Sequence, residues 1–255
     1  MATNESLSPA LLHAMSILIV TICVLQIAAF SGVITLVARN AALTSRAKFG
    51  VPLLIAASLA AWFGWAVLAV HEPVVAPEPP SAGVGNFEFL IKMSFFFVIG
   101  IAALFSSKSM RALYAATPPA WLIGVQVYRV AGVMFLWPFL ASGALPTTFA
   151  LFAGIGDIIT GFAAVFVVLA LVRNHPRARA SAVAWNYFGI VDFVAAVAAA
   201  VLSRSTNIGH FPLVVVQLFI VPLGILAHIF SLRNLTATRD SAPELNPVNL
   251  RAKAA

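Results

Sequence analysis

Charge is scarce in this sequence. Only 9% of its 255 residues are Asp, Glu, Lys or Arg, against about 25% in an ordinary soluble domain. A chain this poor in charge does not present most of its surface to water. Cysteine is nearly absent as well. Cys23 stands alone, so no internal disulfide forms, and no Cys/His spacing of a metal site appears. The first ten residues hold no Lys or Arg, and an apolar run of nearly 30 residues follows them. That pattern predicts a retained first helix instead of a cleaved signal peptide. The net charge is +7, yet no basic cluster is interleaved with aromatics, so nucleic acid is not an expected partner.

What the sequence has in excess is apolar length. Hydrophobic residues make up 62% of the chain. They fall in runs of about 20, the length that crosses a bilayer as a helix. The fold expected is all-α: a polytopic membrane protein with a single bundle of seven transmembrane helices. The spans are placed at 11–38, 49–70, 88–105, 119–141, 148–172, 181–203 and 212–232. Residues 1–235 then form the membrane domain, and 236–255 a polar tail that reads as disordered, with Pro243 and Pro247.

The connecting segments sort by charge. One set, with the tail, holds 12 basic residues, among them Arg39, Lys48, Lys108, Arg111, Arg173 and Arg233; the other holds only Arg204, with Glu5, Glu72, Glu78 and Glu88. This bias predicts an N-terminus outside and a C-terminus in the cytoplasm; the expected location is the bacterial inner membrane, crossed several times. Lys92 lies one turn after Glu88, where an i,i+4 pair or snorkelling accounts for it. The Pro- and Glu-rich stretch from His71 to Asn86 reads as an extended loop. Spans three and seven align through Phe87/Phe211, Phe95/Phe219 and Gly100/Gly224, a pattern a three-plus-one-plus-three repeat would give.

Against this background a few polar residues stand out. Arg129 is about ten residues from the start of span four, about 15 Å into it and too deep to snorkel easily. Asp157 follows in span five and Asp192 in span six. Charges at such depth cost about 2.5–3.5 kcal/mol on insertion scales and face partners in a bundle interior. One Arg with two Asp carries a net charge of −1 when all are ionised. Two close carboxylates in a low dielectric rarely both keep their charge, so one is expected to hold a proton or a cation. The alternative is an ion pair that only fixes helix packing. Gln126, Tyr128, Asn186, Tyr187, Gln217 and His228 complete the candidate site, a substrate- or ion-binding set on spans four to seven. Gly154, Gly161, Gly189 and Gly224 give those faces the small residues that let helices approach. Pro138 and Pro222 are expected to bend spans four and seven. His13, His71 and His210 map to one side and would form a metal or haem site only if brought together.

Gly154-Ile155-Gly156-Asp157 resembles the GxGD motif of intramembrane aspartyl proteases. In that family the preceding helix carries a Tyr-Asp pair, whereas this chain has Tyr128-Arg129, and the family's Pro-Ala-Leu motif is missing from the last span. The second carboxylate that protease chemistry needs is replaced by a cation. Over its second half the chain is similar to uncharacterised bacterial seven-helix membrane proteins, through Gly143-Ala144-Leu145-Pro146, the run from Phe149 to Asp157 and the span from Pro212 to Leu235. The helix count matches microbial rhodopsins, but the last span has no Lys for a Schiff base. The function expected is a small transporter or proton- or cation-coupled permease. An accessory or sensory subunit, packed on partner proteins or lipid-like cofactors, is the second reading, and an intramembrane enzyme the third. The expected partners are the lipid bilayer, a small ion or proton-coupled solute, and a second copy or partner membrane subunit.

Overall fold

In a computed structural model the chain is described at residues 8–68, 107–203 and 206–240, and at 94–95, 98–99 and 101–102. All regular structure among the described residues is helical. Six of these helices are long and apolar enough to cross a membrane. They are α1 (Pro9–Asn40), α2 (Ser45–Leu68), α4 (Pro119–Ser142), α5 (Thr147–Val172), α6 (Ala178–Ser203) and α7 (Leu213–Ala237). A short amphipathic helix, α3 (Lys108–Ala116), precedes α4. The expected third span, the loop from His71 to Asn86, Lys92 and one side of the repeat lie wholly or mostly outside the described residues. The last helix runs on to Asp240, past the expected end of the seventh span at 232 and into the stretch expected to be a disordered tail.

Local chemistry explains the ends. Ser8 caps α1, its hydroxyl accepting from the Leu11 N–H at 3.3 Å, and Pro9 occupies the first helical position, where no N–H is needed. At the other end of α1 the Lys48 ammonium donates to the Arg39 carbonyl at 2.8 Å, placing a cation on the negative pole of the helix. Gly143 ends α4 with φ +64°, a left-handed conformation that glycine adopts without strain. Asn234 of α7 donates to the Tyr114 and Thr117 carbonyls at 2.9 and 2.8 Å, which ties the α3–α4 corner to the end of the last helix. Tyr114 donates in turn to the Phe230 carbonyl at 2.7 Å. Burial pushes the Tyr114 phenol above its ordinary value, against the opposing charge of Arg233, so the hydroxyl keeps the proton it donates.

The bundle is built around α7. Its apolar window is 83% buried, while those of the other five spans are 22–44% buried. Trp62 of α2 packs edge-on against Phe219 of α7, with ring centroids 5.3 Å apart. The Trp62 indole N–H also donates to the Leu218 carbonyl at 2.9 Å. Leu218 lies four residues before Pro222, and a proline at that place removes the N–H that would have claimed this carbonyl. A π-helical stretch, Val216–Ile220, lies just before Pro222, where the bend is expected. In α4 the departure from α geometry is a 3-10 stretch, Val125–Gly132, and Pro138 sits within the regular turns Val133–Ser142 that follow. A second π stretch, Phe152–Gly156, directly precedes Asp157 in α5. The irregular turns of α4 and α5 therefore converge where the candidate polar residues lie, a common setting for functional sites in helices.

Candidate functional site

Arg129 sits in the 3-10 stretch of α4 with its side chain wholly buried. Its guanidinium joins three helices. Nε donates to Asp157 Oδ1 of α5 at 2.6 Å. One terminal nitrogen, Nη2, donates to Asp192 Oδ2 of α6. The other, Nη1, reaches the Gly189 carbonyl at 3.4 Å and His228 Nε2 of α7 at 3.0 Å. The flat face of the cation lies 3.7 Å from the centroid of the Phe193 ring. This is the fork geometry that distinguishes Arg from Lys: several fixed donors in one plane and an aromatic ring across it.

The same contacts assign the histidine. A guanidinium nitrogen only donates, so His228 Nε2 accepts and Nδ1 carries the proton. Nδ1 lies 3.0 Å from Asn186 Oδ1, an acceptor. The Asn186 amide nitrogen then donates to the Ala182 carbonyl at 2.7 Å and to Ser231 Oγ at 3.0 Å. The tautomer and amide orientation follow from the network as a whole. A continuous polar chain thus runs from the carboxylates through Arg129, His228 and Asn186 to Ser231.

Close backbone approach makes this network possible. A Cβ on Gly161 of α5 would lie 2.5 Å from the Val130 nitrogen, so α4 and α5 touch at the level of Arg129. A Cβ on Gly189 would lie 2.2 Å from His228 Cε1 and 3.1 Å from Arg129 Nη1. Both positions belong to the small-residue faces read from the sequence.

The structure brings Arg129, Asp157, Asp192, His228 and Asn186 into one network. Gln126 and Tyr128 occupy the same helix segment but bind neither carboxylate: the Gln126 amide donates to the Gly224 carbonyl of α7 at 3.1 Å, and the Tyr128 hydroxyl lies 3.2 Å from where a Cβ on Gly224 would be. Gln126 Oε1, the Tyr128 hydroxyl and Gln217 Oε1 are buried with no hydrogen-bond partner among the described residues. Tyr187 lies elsewhere. It is 60% exposed on the outer surface of the bundle, one residue past Asn186 and about 100° further round the helix. Three participants escaped the sequence reading: the Phe193 ring, the Gly189 carbonyl and Ser231. Phe193 adjoins Asp192, and Ser231 lies three residues after His228, so helical spacing held a signal for the second but not for the first. Among the described residues no group of three or more His, Cys, Asp or Glu side chains is placed to hold a metal ion.

Six apolar helices, four of which meet at a buried arginine-centred ionic network, define a multi-pass α-helical membrane protein with a charged interior. The chain belongs to the family described as Domain of unknown function (DUF8737), which matches residues 86–236 and so takes in every member of that network. No curated protein and no solved structure matches the chain.

Proposed function

We propose that the protein is a small proton- or cation-coupled permease whose coupling site is the Arg129–Asp157–Asp192 cluster. One observation carries this reading. A single guanidinium binds two carboxylates inside the helix bundle, so the cluster holds one negative charge in excess when all three are ionised. A purely structural pair needs only one carboxylate. The second is neutralised by a proton or another cation, and exchange between the two is the elementary step of coupled transport. Each carboxylate is bound to the cation, unlike the two acids of an aspartyl protease, which share one proton between them.

Infrared difference spectra of the reconstituted protein test this directly. A carboxyl band is expected to change between roughly pH 4 and 9, and to be lost in folded Asp157→Asn or Asp192→Asn. A carboxyl region that stays flat over that range in wild type, with no stabilisation by any cation, would leave the second reading. In that reading the protein is an accessory or sensory subunit and the cluster a packing device; the complete burial of Arg129 favours it.

The topology proposed is seven spans in the bacterial inner membrane, with the N-terminus outside and residues 236–255 in the cytoplasm. The support is the excess of basic residues in one set of connections. A reporter fused after Leu235 is expected to read cytoplasmic, and one inserted at Pro79 outside. Either result reversed contradicts the map.

A further inference from the structure

A groove runs between α5 and α6 along the outside of the bundle, with a volume of about 510 Å³. Its walls are apolar and outward-facing: Phe152, Ile155, Phe188 and Val191 are each 44–65% exposed. Thr147 lies at one end of it, at the start of α5. Among the described residues Asp192 is its only charged lining residue. The carboxylate is bound through one oxygen. Oδ2 is bound by Arg129, and Oδ1 has no hydrogen-bond partner among the described residues. A Cβ on Gly156 would fall 1.7 Å from that Oδ1, so the glycine leaves the space the oxygen occupies at the groove wall.

We infer that this groove is the entry and binding site for a lipophilic organic cation, taken from the bilayer with its charge against Asp192. The inference rests on the coupled reading of the cluster and names its substrate class. Charge complementarity argues for the occupant: the cluster is one positive charge short, and the groove leads to the carboxylate oxygen that Arg129 leaves free. Calcium and magnesium ions take six or more oxygen ligands. Here one carboxylate oxygen stands among apolar side chains, which fits a cation whose charge rides on an apolar body. About 510 Å³ is within the usual range for a small-molecule site. The charged and titratable groups around the carboxylate are Arg129 from α4 and Asp157 from α5, with His228 from α7 against the guanidinium's other terminal nitrogen. An arriving cation and a proton compete for the same excess charge, so binding of one releases the other.

Tetraphenylphosphonium is a suitable probe, and tetraphenylborate is its anionic counterpart of the same shape. Full-length protein in lipid nanodiscs is expected to bind labelled tetraphenylphosphonium saturably above the level of empty discs, and to take up no excess tetraphenylborate. Asp192→Asn is expected to weaken the binding by at least about tenfold. Ile155→Trp and Val191→Trp fill the groove from its exposed walls without touching the cluster, and a loss of similar size is expected. No saturable excess over empty discs, equal binding of the anion, or unchanged binding in both tryptophan variants would each overturn the inference. If binding is absent while the carboxyl band of wild type still moves with pH, the groove inference falls and the coupled site stands. If binding is present and lost in the tryptophan variants while the band is immobile, the groove stands as a binding site and coupling falls.

Discussion

Arg129→Leu is expected to strip the protein of much of its stability. The substitution leaves two carboxylates in the bundle interior without the cation that binds both. Removing one member of a buried ionic network costs about 3–5 kcal/mol. At about 2–4 °C per kcal/mol for a chain of this size, the melting temperature falls by roughly 6–20 °C. Arg129→Lys does not repair the loss, because one ammonium lacks the fork that reaches Asp157, Asp192, the Gly189 carbonyl and His228 together. The pattern of rescue is the sharper test. Both carboxylates depend on one guanidinium, so Asp157→Asn or Asp192→Asn alone restores only part of the stability of Arg129→Leu. The two together restore more than either. Thermal melts of the detergent-solubilised variants decide it. An Arg129→Leu protein that melts with wild type, or full rescue by one Asn substitution, is incompatible with this network.

The sequence alone left open which aspartate pairs with Arg129, and the structure answers that both do. The meeting of the three was legible because charge is so expensive in an apolar interior that isolated buried charges seek one another. The span limits were legible for a similar reason. The bilayer fixes a minimum apolar length, and expected ends such as 119–141 and 148–172 fall within a few residues of Pro119–Ser142 and Thr147–Val172. Side-chain direction was less legible. Reading faces from a period of 3.6 assumes an unbroken α-helix. The 3-10 stretch Val125–Gly132 tightens the turn around Arg129, and the π stretch Phe152–Gly156 widens the one before Asp157. Gln126 and Arg129, three apart and so eclipsed in a 3-10 stretch, both reach α7, at the Gly224 carbonyl and at His228, but only Arg129 extends on to the carboxylates of α5 and α6. Tyr187 was grouped with Asn186 by adjacency in sequence, and adjacency on a helix points side chains apart. Phe193 carried no signal at all. An aromatic in an apolar span reads as core, and only the position of the guanidinium turns it into a cation's partner.

Gly189→Ala is the second substitution with a large expected effect, and it probes the network from the backbone side. The added methyl would lie 2.2 Å from His228 Cε1 and 2.3 Å from Nε2. The ring has little room to retreat. Arg129 and Asn186 hold its two nitrogens, and the Trp185 ring lies 4.7 Å away, centroid to centroid. The guanidinium is fixed by both carboxylates and cannot yield either. Overpacking of this kind costs about 1–3 kcal/mol, although alanine is otherwise the better helix former. Gly64→Ala in α2 is the control, since a Cβ there meets nothing within 4 Å. It is expected to leave stability unchanged or to raise it by up to about 1 kcal/mol. The cause of the Gly189 effect is tested by removing the obstacle. His228→Ala alone leaves Arg129 and Asn186 short of a partner and is destabilising in its own right. In the Gly189→Ala background, however, it also relieves the clash, so the double variant is more stable than the sum of the two single losses. Melts of the four proteins in one detergent measure that coupling. Strict additivity, or a Gly189→Ala protein as stable as Gly64→Ala, would show that the histidine ring does not lie against the α6 backbone.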